Sequence, residues 1–108
     1  MDSRHVYFRN KRLKPGKRPM LLSECGGYAR PVPGHLWKPE ASYGYGKTDT
    51  EEQLTDAIAL MYGEMVLPAI PGGLCGVINT QLSDVEGRST ACIPTTARSA
   101  RWTRRRCA

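Results

Sequence analysis

Apolar positions recur with a helical period over only one segment of this chain. In Thr48–Leu67, TDTEEQLTDAIALMYGEMVL, residues Leu54, Ile58, Met61 and Met65 fall at i, i+4, i+7 and i+11, the spacing of one helix face. Thr50, three residues before Gln53, reads as a capping box, and Glu51 and Glu52 suit the positive end of the helix dipole. Pro68 and the Pro71-Gly72-Gly73 run end or kink the segment. Two short apolar runs read instead as buried strands: PMLLSE, which stops at Gly26-Gly27, and LCGVINTQ, Leu74–Gln81, which enters the polar QLSDVE.

Between the first strand and the helix, Tyr28–Lys47 holds three prolines before Glu40 and scattered aromatics, the pattern of a long irregular loop. HVYF, His5–Phe8, alternates too briefly to define a strand, and RNKRLKPGKRP after it reads as a basic, solvated connector punctuated by Pro15-Gly16. Strand, long loop, helix, strand is a βαβ order, which builds parallel sheets covered by helices. Two strands and one helix do not close a core by themselves.

Composition narrows the picture. A chain of 108 residues with 11 Gly and 8 Pro has material for one small domain or part of one. Cys25, Cys75, Cys92 and Cys107 show no CxxC spacing, and no apolar leader precedes the basic N-terminus, so a reduced, cytoplasmic protein is expected, with neither a zinc site nor a disulfide framework. No apolar run approaches the roughly 20 residues of a membrane-spanning helix. The formal charge of +6 points toward polyanions, but its distribution matters more: Met1–Glu86 has 10 basic and 10 acidic residues, whereas Gly87–Ala108 has six arginines and no acid.

One residue carries candidate chemistry. Glu24 sits between the apolar run of the first strand and the glycine pair, where an unpartnered buried charge is costly, so the carboxylate is expected to be paired or functional.

Three blocks, DSRHVYFRNKRLKPGKRPMLLSECGGY, GHLWKPEASYGYGK and GLCGVINTQLSDVE, resemble the end of the catalytic domain in glycoside hydrolase family 2, which includes β-galactosidase- and β-glucuronidase-type enzymes. The likeness covers Asp2–Glu86 with the order and spacing of all three blocks. It implies an α/β fold that is a fragment of a TIM (β/α)8 barrel: LLSE as the seventh strand, then the long loop, the helix, and GVINTQ as the eighth strand. Barrel active sites lie at the C-terminal ends of strands, where Glu24 falls. The resemblance makes Glu24 the nucleophile of retaining hydrolysis of β-linked sugars, forming and releasing a glycosyl ester. It further implies Tyr28, His35, Trp37 and Gln81 as substrate contacts, with Tyr43 and Tyr45 in the same loop. Packing of the loop residues against the domain, and a structural hydrogen bond for Gln81, stand as the alternatives. Cys25 departs from the pattern, where an aromatic is usual. No cofactor is implied.

Retaining hydrolysis also needs a proton-donating carboxylic acid roughly 5 to 5.5 Å from the nucleophile, which the family takes from an upstream strand that this sequence lacks. Asp84 and Glu86 could bond near the site or anchor loops. The chain is thus expected to be inactive alone, with the missing portion of the domain as a partner in trans.

After Glu86 the sequence leaves the family pattern. One choice of codons for Ser89–Arg98, read in a shifted frame, spells VNGLYTYDRK, and loss of one guanine yields Gly87-Arg88-Ser89. Residues 1–86 are therefore expected to be a partial glycosidase domain, and 87–108 a disordered, out-of-frame basic tail. The other class left open is a small nucleic-acid-binding protein using the Arg9–Arg18 and Arg101–Arg106 clusters. On the glycosidase reading no specific nucleic acid and no membrane is a partner.

Overall fold

The computed structural model describes residues 1–7, 9–32 and 46–81. The elements run β1 (Asp2–Val6), β2 (Met20–Gly26), β3 (Tyr28–Ala29), β4 (Gly46–Lys47), α1 (Glu51–Met61) and β5 (Leu74–Thr80). Between α1 and β5 the helical path tightens and widens through a π-turn, Tyr62–Val66, and a 3-10 turn, Leu67–Ala69. Strands β1, β2 and β5 form one parallel sheet in that order, and β3 pairs with β4 in a separate parallel pair.

This architecture corrects the barrel-fragment expectation. The described residues build an open three-stranded parallel sheet and a two-stranded one, and no barrel closes. Closure demands enough strands, tilted and staggered, for the last to meet the first. Here β1 and β5 are the two edges of the larger sheet, with β2 between them. The described residues are α/β, with one main helix.

A second correction concerns β1. Its burial pattern lacks alternation, since only Val6 is buried, so no period-two signal marks it in the sequence. Pairing makes it a strand: Asp2 aligns with Met20 and Val6 with Cys25, and the Asp2 amide donates to the Pro19 carbonyl at 2.9 Å. The long-loop segment is also not wholly irregular, because its two ends meet as Tyr28 opposite Gly46 and Ala29 opposite Lys47.

The helix follows its sequence signals closely. Thr50 Oγ1 accepts from the Gln53 amide at 3.2 Å, and Gln53 Oε1 accepts from the Thr50 amide, which completes the capping box. Such a cap contributes about 1 kcal/mol. Leu54, Met61 and Met65 of the stripe are buried and Ile58 is half-buried. Pro68 does not stop the helical path at once, because within the short 3-10 turn it lies near the start, where its missing N–H costs little.

The core lies between the helical segment and one face of the sheet. Met20, Leu22, Cys25, Val6 and Leu74 meet Met61, Met65, Val66 and Ala69 there, joined by Leu13 from the β1–β2 connector. Burying each large aliphatic side chain contributes roughly 1.5–3 kcal/mol. The opposite face of the sheet has no such cover among the described residues: Ile78 is 53% exposed, and Ser3, His5 and Glu24 lie open or half-open. Parallel sheets ordinarily bury both faces.

Candidate functional site

Glu24 owes its position to a bulge. Met20 and Leu22 face the core, so strict alternation would turn residue 24 inward with them. The register instead runs Arg4 opposite Leu22 and His5 opposite Glu24, leaving Ser23 as an extra residue. The same excess appears toward β5, where Leu22 aligns with Val77 and Cys25 with Asn79. Bulges re-aim side chains in this way. Cys25 takes the core position, and Glu24 turns to the open face with its side chain 44% exposed. The Ser23 hydroxyl ties the bulge down by donating to the Arg4 carbonyl at 3.2 Å, and its oxygen lies 2.6 Å from Ser3 Oγ.

Two side chains from the β1 side converge on the carboxylate. The Tyr7 phenol donates to Glu24 Oε2 and also approaches Thr80 Oγ1 of β5 at 3.5 Å. His5 Nδ1 lies 3.7 Å from the same Glu24 oxygen. Tyr7 thus spans the sheet from its first strand to its third across the C-terminal ends. An O–H donor holds a carboxylate in one orientation. A protonated His5 adds attraction that is modest, because that side chain is 57% exposed.

The glycine pair closes the rim. Gly26 and Gly27 have φ of 82° and 72°, the left-handed region that side chains rarely occupy. A Cβ on Gly26 would also collide with Asn79 Oδ1, so glycine is needed twice over at that position. The Gly27 amide donates to the Thr80 carbonyl at 3.0 Å and joins the turn after β2 to the end of β5. Beside this turn lies a shallow surface dimple, bordered by Tyr7, Arg9, Asn10, Gly26 and Tyr28 over Met61.

Burial tunes two acids here. The Cys25 thiol is pushed up from 9.0 to about 11 by desolvation, so it is a neutral packing group whose Sγ approaches the Ile78 carbonyl at 3.6 Å. The Tyr28 phenol is raised by burial first and then by the charges of Cys25 and Glu64. It donates to Asn10 Oδ1 at 3.3 Å, and Asn10 Nδ2 donates to Glu64 Oε2 at 3.3 Å.

Of the site residues expected from sequence, the structure places Glu24 at the end of the central strand and Tyr28 on the neighbouring recess. Gln81 follows β5, with its Nε2 buried and unpartnered among the described residues, as is Asn79 Oδ1. His35, Trp37, Tyr43, Tyr45, Asp84 and Glu86 lie outside the described residues, as do the boundary at residue 86 and the arginine tail. Sequence reasoning missed Tyr7 and His5. The signal was present in HVYF, where His5 and Tyr7 share a strand parity, but it became readable only once β1 paired beside Glu24. Among the described residues no hydrogen bond joins Glu24 to a second carboxylic acid, and no cluster of three or more metal-ligating side chains occurs.

No protein-family model and no curated protein matches this chain. Among the described residues no helix is long and apolar enough to cross a membrane.

Proposed function

We propose that this chain supplies the nucleophile half of a retaining β-glycosidase site, with Glu24 as the attacking carboxylate. The observation that supports the reading is the Tyr7 phenol donating to Glu24 at the C-terminal end of the central parallel strand. The bulge at Ser23 turns the carboxylate outward, and a half-exposed carboxylate is what attack on a sugar requires. The resemblance to glycoside hydrolase family 2 adds the reaction class.

In that reaction a Glu24 oxygen bonds to the anomeric carbon as the carbon–oxygen bond to the leaving group breaks. Water then displaces the carboxylate and returns it, with net retention. Tyr7 keeps the attacking oxygen oriented while its charge is consumed and restored. The proton for the departing oxygen comes from a complementing polypeptide, because a retaining pair needs a second carboxyl group at roughly 5 to 5.5 Å. The substrate is a β-linked carbohydrate, and turnover by the isolated chain is expected only where the leaving group needs no proton. A reducing, cytoplasmic setting suits Cys25 and Cys75, which are both free thiols.

That exception supplies the test. Incubating the full chain with a 2-deoxy-2-fluoro β-glycoside bearing a dinitrophenolate leaving group should esterify Glu24, detected by mass on its peptide, and Glu24→Gln should abolish the adduct. Absence of any adduct, or labelling spread over the helix acids Glu51, Glu52 and Asp56, would defeat the reading.

A further inference from the structure

The β1–β2 connector presents a concentration of charge that the proposed reaction does not use. Arg9, Lys11, Arg12, Lys14, Lys17 and Arg18 are all exposed, no acid interrupts the stretch, and among the described residues no ion pair joins any of the six to a carboxylate. Six like charges repel one another, and among the described residues no ion pair offsets them, so the stretch attracts anions.

The connector is anchored as well as charged. Leu13 is 8% exposed and belongs to the core. Pro15 lies against Gly72, where a Cβ would come within 3.2 Å of the proline ring. At the two ends, the Asp2 amide bonds to the Pro19 carbonyl and the Met20 amide to the Gly73 carbonyl, each at 2.9 Å. The cations are therefore carried on a backbone that is pinned at both ends and in its middle, which lowers the ordering cost of binding.

Arg9 and Asn10, at the start of the connector, border the same recess as Tyr7, whose phenol holds Glu24. A ligand at Glu24 that reaches this recess meets Arg9, the first cation of the connector. We infer that residues 9–18 bind an acidic glycan, a chain of β-linked sugars bearing carboxylates, and so restrict the substrate of the Glu24 site to anionic carbohydrate. This inference rests on the glycosidase reading for its continuity with Glu24, and on the connector alone for its charge. Carboxylates of uronate residues accept charge-assisted hydrogen bonds from Arg and Lys. A nucleic acid fits less well: the connector has no aromatic residue on which a base could stack, and it forms neither a helix nor a ribbon to enter a groove.

Fluorescence anisotropy on the full chain tests this with three labelled probes: a hyaluronan oligosaccharide, an uncharged cello-oligosaccharide and a DNA duplex. Hyaluronan should bind at least about tenfold more tightly than the neutral glycan, and raising salt from 50 to 200 mM should weaken it by roughly tenfold through counterion release. The double variant Lys11→Glu, Arg12→Glu should lower hyaluronan affinity roughly tenfold, which separates the connector from Arg101–Arg106. Equal binding of charged and neutral glycans, tighter binding of the duplex, no binding of any probe, or an unchanged double variant would each overturn the inference. Binding is read at equilibrium, so a chain that fails to esterify Glu24 can still pass this test. A chain that esterifies Glu24 with a neutral glycoside can still fail it.

Discussion

The two faces of the β1–β2–β5 sheet are made by the same strands and differ in what holds them. On the helix side, Met20, Leu22 and Cys25 are sealed beneath Met61 and Met65, and stability there comes from apolar area and close packing. On the open side, Ser3, Ser23, His5 and Glu24 are joined by hydrogen bonds and one long ion contact, with half or more of some side chains in water. One face is apolar and sealed, and the other is polar and open to water. The bulge at Ser23 is what keeps them distinct, because it exchanges Cys25 for Glu24 at the point where alternation would have buried a charge.

The contrast is sharpest in a pair of truncations. Leu22→Ala removes a side chain with no exposure and should lower unfolding free energy by about 2–5 kcal/mol in urea titrations. Ile78→Ala on the open side should cost less than about 1 kcal/mol. Comparable losses at the two positions would mean that the open face is covered in solution.

The next effect is read by pH. Because the thiol of Cys25 is raised to about 11 in the folded state from an ordinary 9.0, folding favours its protonated form. That contribution is intact below pH 9 and is lost as pH climbs toward 11, by roughly 2–3 kcal/mol in all. The raised Tyr28 phenol works in the same direction. Cys25→Ala should flatten the alkaline decline. A variant that loses stability as steeply as the parent would contradict the burial account.

A smaller effect probes the open side alone. Tyr7→Phe removes the donor to Glu24 and should slow esterification by the fluoroglycoside about 10- to 100-fold, the worth of a hydrogen bond to a charged group. Its unfolding midpoint should stay close to the parent's. Equal labelling rates would show that Tyr7 does not orient the attacking oxygen.

Much of the helix-side face was legible in the residues. The capping box at Thr50 and Gln53, the Leu54–Met65 stripe and the strands around Leu22 and Leu74 are local patterns whose period is set by backbone geometry, and each lies where those patterns place it. The open side was legible only as a single out-of-place acid. Tyr7, His5 and the bulge were hidden, because β1 has no alternation of its own and becomes a strand only through hydrogen bonds to β2.

By itself, then, the sequence determined the parallel βαβ order, the helix with its cap, and the presence of one acid, Glu24, at the end of a buried strand. Propensity, periodicity and the cost of a stranded charge all act within a few residues of one another. Tertiary structure decided that the sheet stays open rather than closing, that a third strand joins at its edge, and which way Glu24 points. Those outcomes depend on register between segments distant in the chain, where one extra residue at Ser23 inverts the side chains that follow, and no local pattern encodes that count.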